Sequence, residues 1–260
     1  MENTNQVIFA GAGPGDPDLI TVKAMNALKA SDLIIYAGSL VPEAVLCWKG
    51  KETKTISSED MDLTQIIDTI RIHYSKGKKV VRLHTGDPAL FGAIFEQMRE
   101  LKKLDIPYTV IPGVTAAFAA SARMKMEYTL PEKTQTLILT RISGRTRVPD
   151  TEELDKLAAH QSSLVIYLSM GHVKKVQEIL ETHYGKESLC VVAFKVSHPE
   201  EKIIYTEIKS LAKTCQENKI TRHALIIAGK SVEASIDPGH ILSSKLYDSG
   251  FSHGYRTAEK

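Results

Sequence analysis

The chain alternates short runs rich in Val, Ile and Leu with stretches whose apolar residues recur every three or four positions. This alternation predicts strands followed by amphipathic helices, and such an order requires a largely parallel sheet covered by helices. In the first half the predicted strands are Val7–Ala10, Leu33–Tyr36, Thr53–Ile56, Val80–Leu83 and Tyr108–Ile111. The predicted helices between them are Thr21–Ala30, Leu63–Tyr74 and Phe91–Leu104.

The second half of the chain has a different pattern. Its predicted strands are Thr136–Thr140, Leu164–Leu168, Leu189–Val196, Lys202–Glu207 and Ala224–Ala228. The short link Ser-His-Pro-Glu at 197–200 is typical of a hairpin turn, so two of these strands are expected to be antiparallel. The sequence therefore predicts an α/β fold of two lobes, 1–113 with a mostly parallel sheet and 114–237 with a mixed sheet, followed by an irregular tail over 238–260.

Composition excludes several classes of protein. With 33 Lys and Arg against 31 Asp and Glu, the formal charge of +2 argues against a nucleic-acid-binding protein. No apolar run approaches the roughly 20 residues of a membrane span, and the polar start predicts no secretory signal. The three cysteines, Cys47, Cys190 and Cys215, have no CxxC spacing, and no HExxH occurs, so we expect buried thiols, no metal site and a cytoplasmic location.

A glycine-rich turn, Gly-Ala-Gly-Pro-Gly-Asp-Pro at 11–17, follows the first predicted strand. Such a turn can present backbone amides to an anion, and a nicotinamide dinucleotide is one candidate. The spacing disagrees with that candidate, because Asp16 stands where GxGxxG needs its third glycine. In addition, no acidic residue ends the second strand to bind a ribose.

Two further turns follow strands that we expect to be neighbours. Thr-Gly-Asp-Pro at 85–88 predicts a ligand-binding turn or an Asp87-capped helix that begins near Pro88. Pro-Gly-Val-Thr at 112–115 predicts a second close approach of backbone to ligand. A basic loop adds Arg141, Arg145 and Arg147, whose guanidinium groups suit a polycarboxylate or phosphate ligand.

Four segments together resemble one known family. They are VIFAGAGPGDPDLIT at 7–21, SDLIIYAGSLVP at 31–42, VVRLHTGDPALFGA at 80–93 and VIPGVTAAFAA at 110–120. In order and spacing they resemble the tetrapyrrole (class III) S-adenosylmethionine-dependent methyltransferases. The resemblance implies two α/β lobes with the active-site cleft between them, a homodimer, and methyl transfer from S-adenosylmethionine to a tetrapyrrole, which leaves S-adenosylhomocysteine.

The resemblance also implies residue roles. The cofactor-binding candidates are Pro14, Thr85, Gly86, Asp87, Leu90, Thr115, Ala116, Leu168, Met170, Phe194 and Lys195. The candidates for binding the carboxylates of the substrate are Ser39, Lys49, Arg141, Arg145 and Arg147. No catalytic residue can be assigned, because relatives that methylate uroporphyrinogen have an Asp after the second strand where this chain has Ala-Gly-Ser at 37–39.

Three alternatives remain open from sequence. One is a sibling enzyme that methylates another ring carbon or another tetrapyrrole, such as precorrin-4 without cobalt, precorrin-3 or uroporphyrinogen III. The other two are a nicotinamide-dependent reductase built on the first glycine turn and a tetrapyrrole carrier without catalytic activity.

Overall fold

The fold is taken from a computed structural model that describes residues 5–38, 41–237 and 244–258. The chain forms two compact units, Met1–Ala119 with Val196–Pro199, and Ala120–Lys195 with Glu200–Lys260. The division along the chain therefore falls inside a helix, at 119–120, whereas the predicted lobes meet at 113–114. Over the described ranges, no helix is both long and apolar enough to cross a membrane.

The first unit contains a five-stranded sheet with every pair of neighbouring strands parallel. Its strands are β1 Val7–Gly11, β2 Leu33–Tyr36, β3 Lys54–Ser57, β4 Val80–His84 and β5 Tyr108–Ile111, in the order β3-β2-β4-β1-β5. The helices that follow β1, β3, β4 and β5 are α1 Val22–Ala30, α2 Leu63–Tyr74, α3 Ile94–Lys103 and α4 Ala116–Met124, the last of which continues into the second unit.

Apolar residues cover both faces of this sheet, as a parallel sheet requires. On one face, Phe9 and Ile35 pack with residues of α2 and α3. On the other face, Ile34 and Leu83 pack with residues of α1. Alternation along each strand thus assigns neighbouring residues to opposite cores.

The second unit contains a mixed sheet. Its strands are β6 Leu137–Arg141, β7 Ser163–Tyr167, β8 Leu189–Phe194, β9 Lys202–Glu207 and β10 Ala224–Ala228, in the order β6-β7-β10-β8-β9. Only the β6–β7 pair is parallel, and the predicted β8–β9 hairpin is confirmed with Phe194 opposite Lys202. Its helices are α5 Leu154–Ala158, α6 Val173–Tyr184, α7 Leu211–Glu217 and α8 Lys230–Ile236. The predicted fold class, a mostly parallel sheet followed by a mixed one, is confirmed.

Three predicted elements have one boundary that differs from the observed one for the same physical reason. The helix predicted from Phe91 begins only at Ile94, because Phe91 and Ala93 have left-handed backbones with φ of 55° and 50°. The strands predicted to reach Leu168 and Val196 end at Tyr167 and Phe194, where the next residues have φ of 51° and 44°. Residues other than glycine rarely adopt this conformation, so it could not be predicted at these positions.

The described part of the tail contains a short 3-10 helix, Lys245–Tyr247, and neither an α-helix nor a strand. Arg256 holds it together, since its Nη2 donates to the carbonyl oxygens of Leu246 at 2.8 Å and Asp248 at 2.5 Å. The cysteines differ from expectation in one respect. Cys190 and Cys215 are buried, but Cys47 is exposed.

Candidate functional site

Three glycine-rich loops meet at the carboxyl ends of β1, β4 and β5. Gly13 and Gly86 exchange backbone hydrogen bonds of 3.3 and 2.8 Å. A Cβ atom added to Gly11 would lie 2.6 Å from both the Gly86 oxygen and the Gly113 Cα, so only glycine permits this approach. The two turns predicted to end neighbouring strands do converge, but β1 lies between β4 and β5, and its own loop contacts both turns.

Asp87 joins two of these loops through its carboxylate. Its Oδ2 accepts from the Gly113 amide at 3.0 Å, and its Oδ1 accepts from the Ala89 amide at 2.8 Å. The expected cap of an α-helix beginning near Pro88 is wrong, because α3 begins six residues later, at Ile94. Asp87 instead fixes the turn against the start of the next loop.

The remaining cofactor candidates of the first unit surround this junction. Thr115 is buried, and its carbonyl oxygen accepts from Phe118 at the start of α4, where Ala116 is half-buried. Pro14 is buried as well. Gly86 has φ of 60°, and an added Cβ would find its nearest neighbour at 3.8 Å, so this backbone is open to a ligand on one side. The loops therefore present main-chain atoms to a group that binds beside the Gly86 turn.

The cofactor candidates of the second unit lie at one edge of its sheet. Strands β7 and β8 both run antiparallel to β10, so their carboxyl ends share an edge. Leu168 follows β7, has a left-handed backbone and is 66% exposed, while Met170 beside it is buried. Lys195 follows β8, and its Nζ lies 5.8 Å from the ring centroid of Phe194. Lys195 is half-buried and also has a left-handed backbone, and strained residues of this kind cluster at ligand sites.

The substrate candidates have separate local environments. Arg141 is engaged within its own loop, since its guanidinium donates to the carbonyl oxygens of Thr146 and Arg147, each at 2.9 Å. Arg145 and Arg147 have exposed side chains. Lys49 is exposed in the first unit, directly after a 3-10 helix, and Ser39 lies outside the described residues.

Sequence reasoning missed a cavity of about 350 Å³ beside the β4 turn. Its lining includes Arg82 and His84 from β4 and Gln97 from α3, as well as the cofactor candidates Thr85 and Leu90. Arg82 and His84 are only 5% and 4% exposed. The signal that could have revealed them was present in Val-Val-Arg-Leu-His at 80–84, where two ionisable residues interrupt a strand predicted to be buried.

The pKa values in this cavity are shifted by burial. Burial, and secondarily the charge of Arg82, lowers the pKa of His84 to about 3, although a hydrogen bond to the Gly92 backbone opposes the change. Burial also lowers the pKa of Arg82 to about 10. Near neutral pH, the site therefore holds a neutral imidazole beside a charged guanidinium.

The sequence profile of the Tetrapyrrole (Corrin/Porphyrin) Methylases matches residues 6–212. The chain therefore belongs to this family of methyltransferases.

Two curated relatives share one name. The chain is 45% identical over its full length to 99% of the Cobalt-precorrin-4 C(11)-methyltransferase of Methanocaldococcus jannaschii. It is 41% identical over 98% of its length to 99% of the protein of that name from Priestia megaterium.

Solved structures support the same family. A cobalt precorrin-4 methyltransferase matches with a TM-score of 0.86 and 39% identity, over 89% of this chain and 98% of that one. The uroporphyrin-III C-methyltransferase of Thermus thermophilus in complex with S-adenosylhomocysteine matches with a TM-score of 0.70 and 26% identity, over 88% of this chain and 94% of that one.

Proposed function

We propose that this protein transfers a methyl group from S-adenosylmethionine to C11 of cobalt-precorrin-4, in the anaerobic biosynthesis of cobalamin. The observation that carries the proposal is the 45% identity, over 100% of this chain and 99% of the relative, to a cobalt-precorrin-4 C(11)-methyltransferase. The segments YAGSLVP at 36–42, TRISGRT at 140–146 and SKLYDSGFSHGYR at 244–256 resemble that branch of the family.

The name of one relative specifies a second substrate. The chain is 40% identical over 97% of its length to the Precorrin-4 C(11)-methyltransferase of Pseudomonas aeruginosa. The name of that relative specifies precorrin-4 without cobalt. The two substrates share the reacting carbon, so the reaction type is the same for both.

The reaction mainly requires the protein to align the ring carbon with the methyl group of the donor. When bound, S-adenosylmethionine supplies a sulfonium methyl that is already a strong electrophile. The protein has to hold the ring carbon in line with that methyl, and fixed geometry of this kind is worth about 7–11 kcal/mol. A loop network closed by Gly13–Gly86 and Asp87–Gly113 hydrogen bonds is suited to such positioning, because its amides and carbonyls are fixed before the ligand arrives.

We assign cofactor binding to the backbone of the Gly86 turn and the start of α4, where Thr115 and Ala116 lie. Leu168 and Met170 from the second unit complete the set, together with Phe194 and Lys195. Thr85 precedes Gly86, and both Thr85 and Leu90 line the cavity beside the turn. Pro14 follows Gly13, which exchanges hydrogen bonds with Gly86. Asp87 acts as a positioning residue, since both of its carboxylate oxygens already accept backbone hydrogen bonds.

No carboxylate base is assigned after β2. The residues present there are Ala-Gly-Ser, and a Cβ added at Gly38 would lie 2.2 Å from the Ser57 hydroxyl oxygen, which would have to turn away. Loss of a proton from the methylated ring is therefore left to solvent or to the substrate in this proposal.

We further propose that exposed Arg145 and Arg147, with Lys49 and Ser39, bind carboxylates of the tetrapyrrole. Arg141 shapes the loop that presents the two exposed arginines, because its guanidinium binds the loop's own carbonyls. Arg145→Ala is expected to raise the KM for the tetrapyrrole and to weaken its dependence on salt. Unchanged values of both would contradict this role.

The decisive experiment combines purified protein, S-adenosylmethionine with a ¹³C-labelled methyl group, and cobalt-precorrin-4 made in situ. We expect one label per product molecule, located at C11 by NMR. A parallel reaction with precorrin-4 compares the two substrates. A label at another ring carbon would assign the protein to a sibling activity, and the absence of any label with folded protein would reject methyl transfer.

The homodimer and the cytoplasmic location belong to the same proposal. Both are supported by the resemblance to the family, and the location also by three cysteines that form no disulfide. Sedimentation equilibrium at micromolar protein is expected to give twice the chain mass of 28.7 kDa.

A further inference from the structure

Strand β4 departs from the pattern of a buried parallel strand. It lies at the centre of the first sheet, and all five of its residues are buried. Val80, Arg82 and His84 point to the same face, since alternate residues of a strand do so, and Val80 packs there with residues of α2 and α3. Such strands are normally apolar throughout. Two positions of this face instead carry ionisable side chains.

Arg82 has no carboxylate partner among the described residues. Its Nε donates to Gln97 Oε1 at 3.1 Å and its Nη1 donates to the Ile35 oxygen at 3.2 Å, and both acceptors are uncharged. Over the residues that the structure describes, the Nη2 of Arg82 has no acceptor. A guanidinium removed from water is costly unless a counter-charge accompanies it. Arg82 is therefore a buried cation whose two acceptors in the described residues carry no charge.

His84 provides a second, independent observation. The residue is only 4% exposed, and among the described residues its Nε2 has no hydrogen-bond partner. Both side chains line the 350 Å³ cavity, and the other charged groups in the lining, Glu59 and Glu96, are exposed. The buried part of the cavity is thus basic, while its acidic residues face solvent.

We propose that this cavity binds one carboxylate arm, of acetate or propionate type, of the tetrapyrrole, with Arg82 as its counter-charge and His84 Nε2 as its second partner. The inference rests on the proposed function for the identity of the substrate. A carboxylate oxygen can accept from Nη2, and one proton taken up from solvent together with the arm lies between its second oxygen and Nε2. Ligand pockets measure roughly 300–1,000 Å³, so this volume suits a side arm better than a whole ring system.

The first test uses propionate as the probe and propionamide, which is uncharged and of similar shape, as the control. In protein with ¹⁵N-labelled histidine, propionate is expected to shift the Nε2 resonance of His84 in a saturable manner, and propionamide is not. The shift should be absent in Gln97→Glu, where a carboxylate tethered at Gln97 already neutralises Arg82. No shift with propionate, or equal shifts with both compounds, would overturn the proposal.

The second test measures methyl transfer. Gln97→Glu keeps Arg82 and the side-chain length at 97, so it preserves the fold better than Arg82→Gln, which is tested alongside it. Both are expected to raise the KM for cobalt-precorrin-4 about tenfold, as loss of one charged hydrogen bond implies, with the KM for S-adenosylmethionine unchanged. Arg99→Gln, an exposed change on α3, is the control and should leave both KM values unchanged.

The outcomes separate the two proposals. If wild-type protein transfers methyl groups and the KM for the tetrapyrrole stays constant in Gln97→Glu, the arm-binding proposal is wrong. A rise in the KM for S-adenosylmethionine instead would assign the cavity to the donor and would also overturn it. If wild-type protein transfers no methyl group, the proposed function fails, and the propionate titration still decides whether the cavity binds a carboxylate.

Discussion

The protonation of a single residue, His84, couples the cavity to the stability of the fold. Its pKa is about 3 in the folded protein and near 6.5 when the chain is unfolded. Between these values the unfolded chain binds a proton that the folded one does not, so the free energy of unfolding falls as the pH falls. The expected slope from this group is at most about 1.4 kcal/mol per pH unit.

Urea denaturation of wild type and His84→Gln at pH 7.0, 6.0 and 5.0 measures this contribution. The variant is expected to lose less stability than wild type between pH 6.5 and 5. Asp32 and Glu100 have lowered pKa values, chiefly from hydrogen bonds to Lys79 and Lys103, so their contribution is lost only at more acidic pH. Equal slopes for the two proteins would show that His84 is not held neutral.

The three thiols are expected to differ in reactivity. Cys47 is exposed, whereas Cys190 and Cys215 lie in the core of the second unit, where burial raises their pKa values to about 12 and about 11. A thiol-reactive dye at pH 8 should therefore label Cys47 rapidly and the other two only after unfolding. Cys47→Ser should remove the rapid phase, and a rapid phase that survives this change would contradict the assignment.

The contact among the glycine loops that follow β1, β4 and β5 determines the geometry of the candidate site. In Gly113→Ala the added Cβ would collide with the Gly86 carbonyl oxygen, and the Asp87–Gly113 hydrogen bond could not keep its length. We expect a loss of about 1–3 kcal/mol in stability, as overpacking causes, and weaker binding of S-adenosylhomocysteine in calorimetry. Gly254→Ala, which adds a Cβ with nothing within 4 Å, is the control. Matching affinities for the two variants would rule out this loop contact as part of the cofactor site.

Strand positions could be predicted because apolar runs bounded by polar residues define them. Strands β2, β5, β9 and β10 begin and end where the sequence predicts. The left-handed residues that end β7 and β8 could not be predicted, since Leu168 and Lys195 are not glycines. The surrounding structure holds these residues in that conformation, and local sequence patterns do not predict it.

The candidate site could be predicted only where its signal is local. Glycine turns after strands marked the loops near Gly86 and Gly113, but the position of β1 between β4 and β5 depends on strand order, which no short segment encodes. The local sequence marks Arg82 only as an ionisable residue in a strand predicted to be buried. Its uncharged acceptors, Gln97 and Ile35, come from two other elements, and only the fold brings them to β4.

In the molecule as a whole, each of the two units has its own hydrophobic core. The core of the second unit includes Leu164, Leu180 and Ile226, and the two faces of the first sheet have their own clusters. The proposed cofactor residues are nevertheless divided, with the Gly86 turn in one unit and Leu168 in the other. S-adenosylhomocysteine is therefore expected to protect amides in each of the two units.

Hydrogen exchange with and without S-adenosylhomocysteine tests this expectation. Binding should slow exchange of loop amides near 86–90 and 115–116 in the first unit and near 168–170 and 194–195 in the second, because bound ligand reduces local opening. Loop amides at 76–78 and 218–219, which carry no proposed ligand contact, are the internal control and should change little. Since a general gain in stability slows the most protected amides everywhere, the comparison relies on these fast-exchanging loops. Protection confined to one unit would assign the whole cofactor site to it and would contradict the proposed roles of the residues in the other.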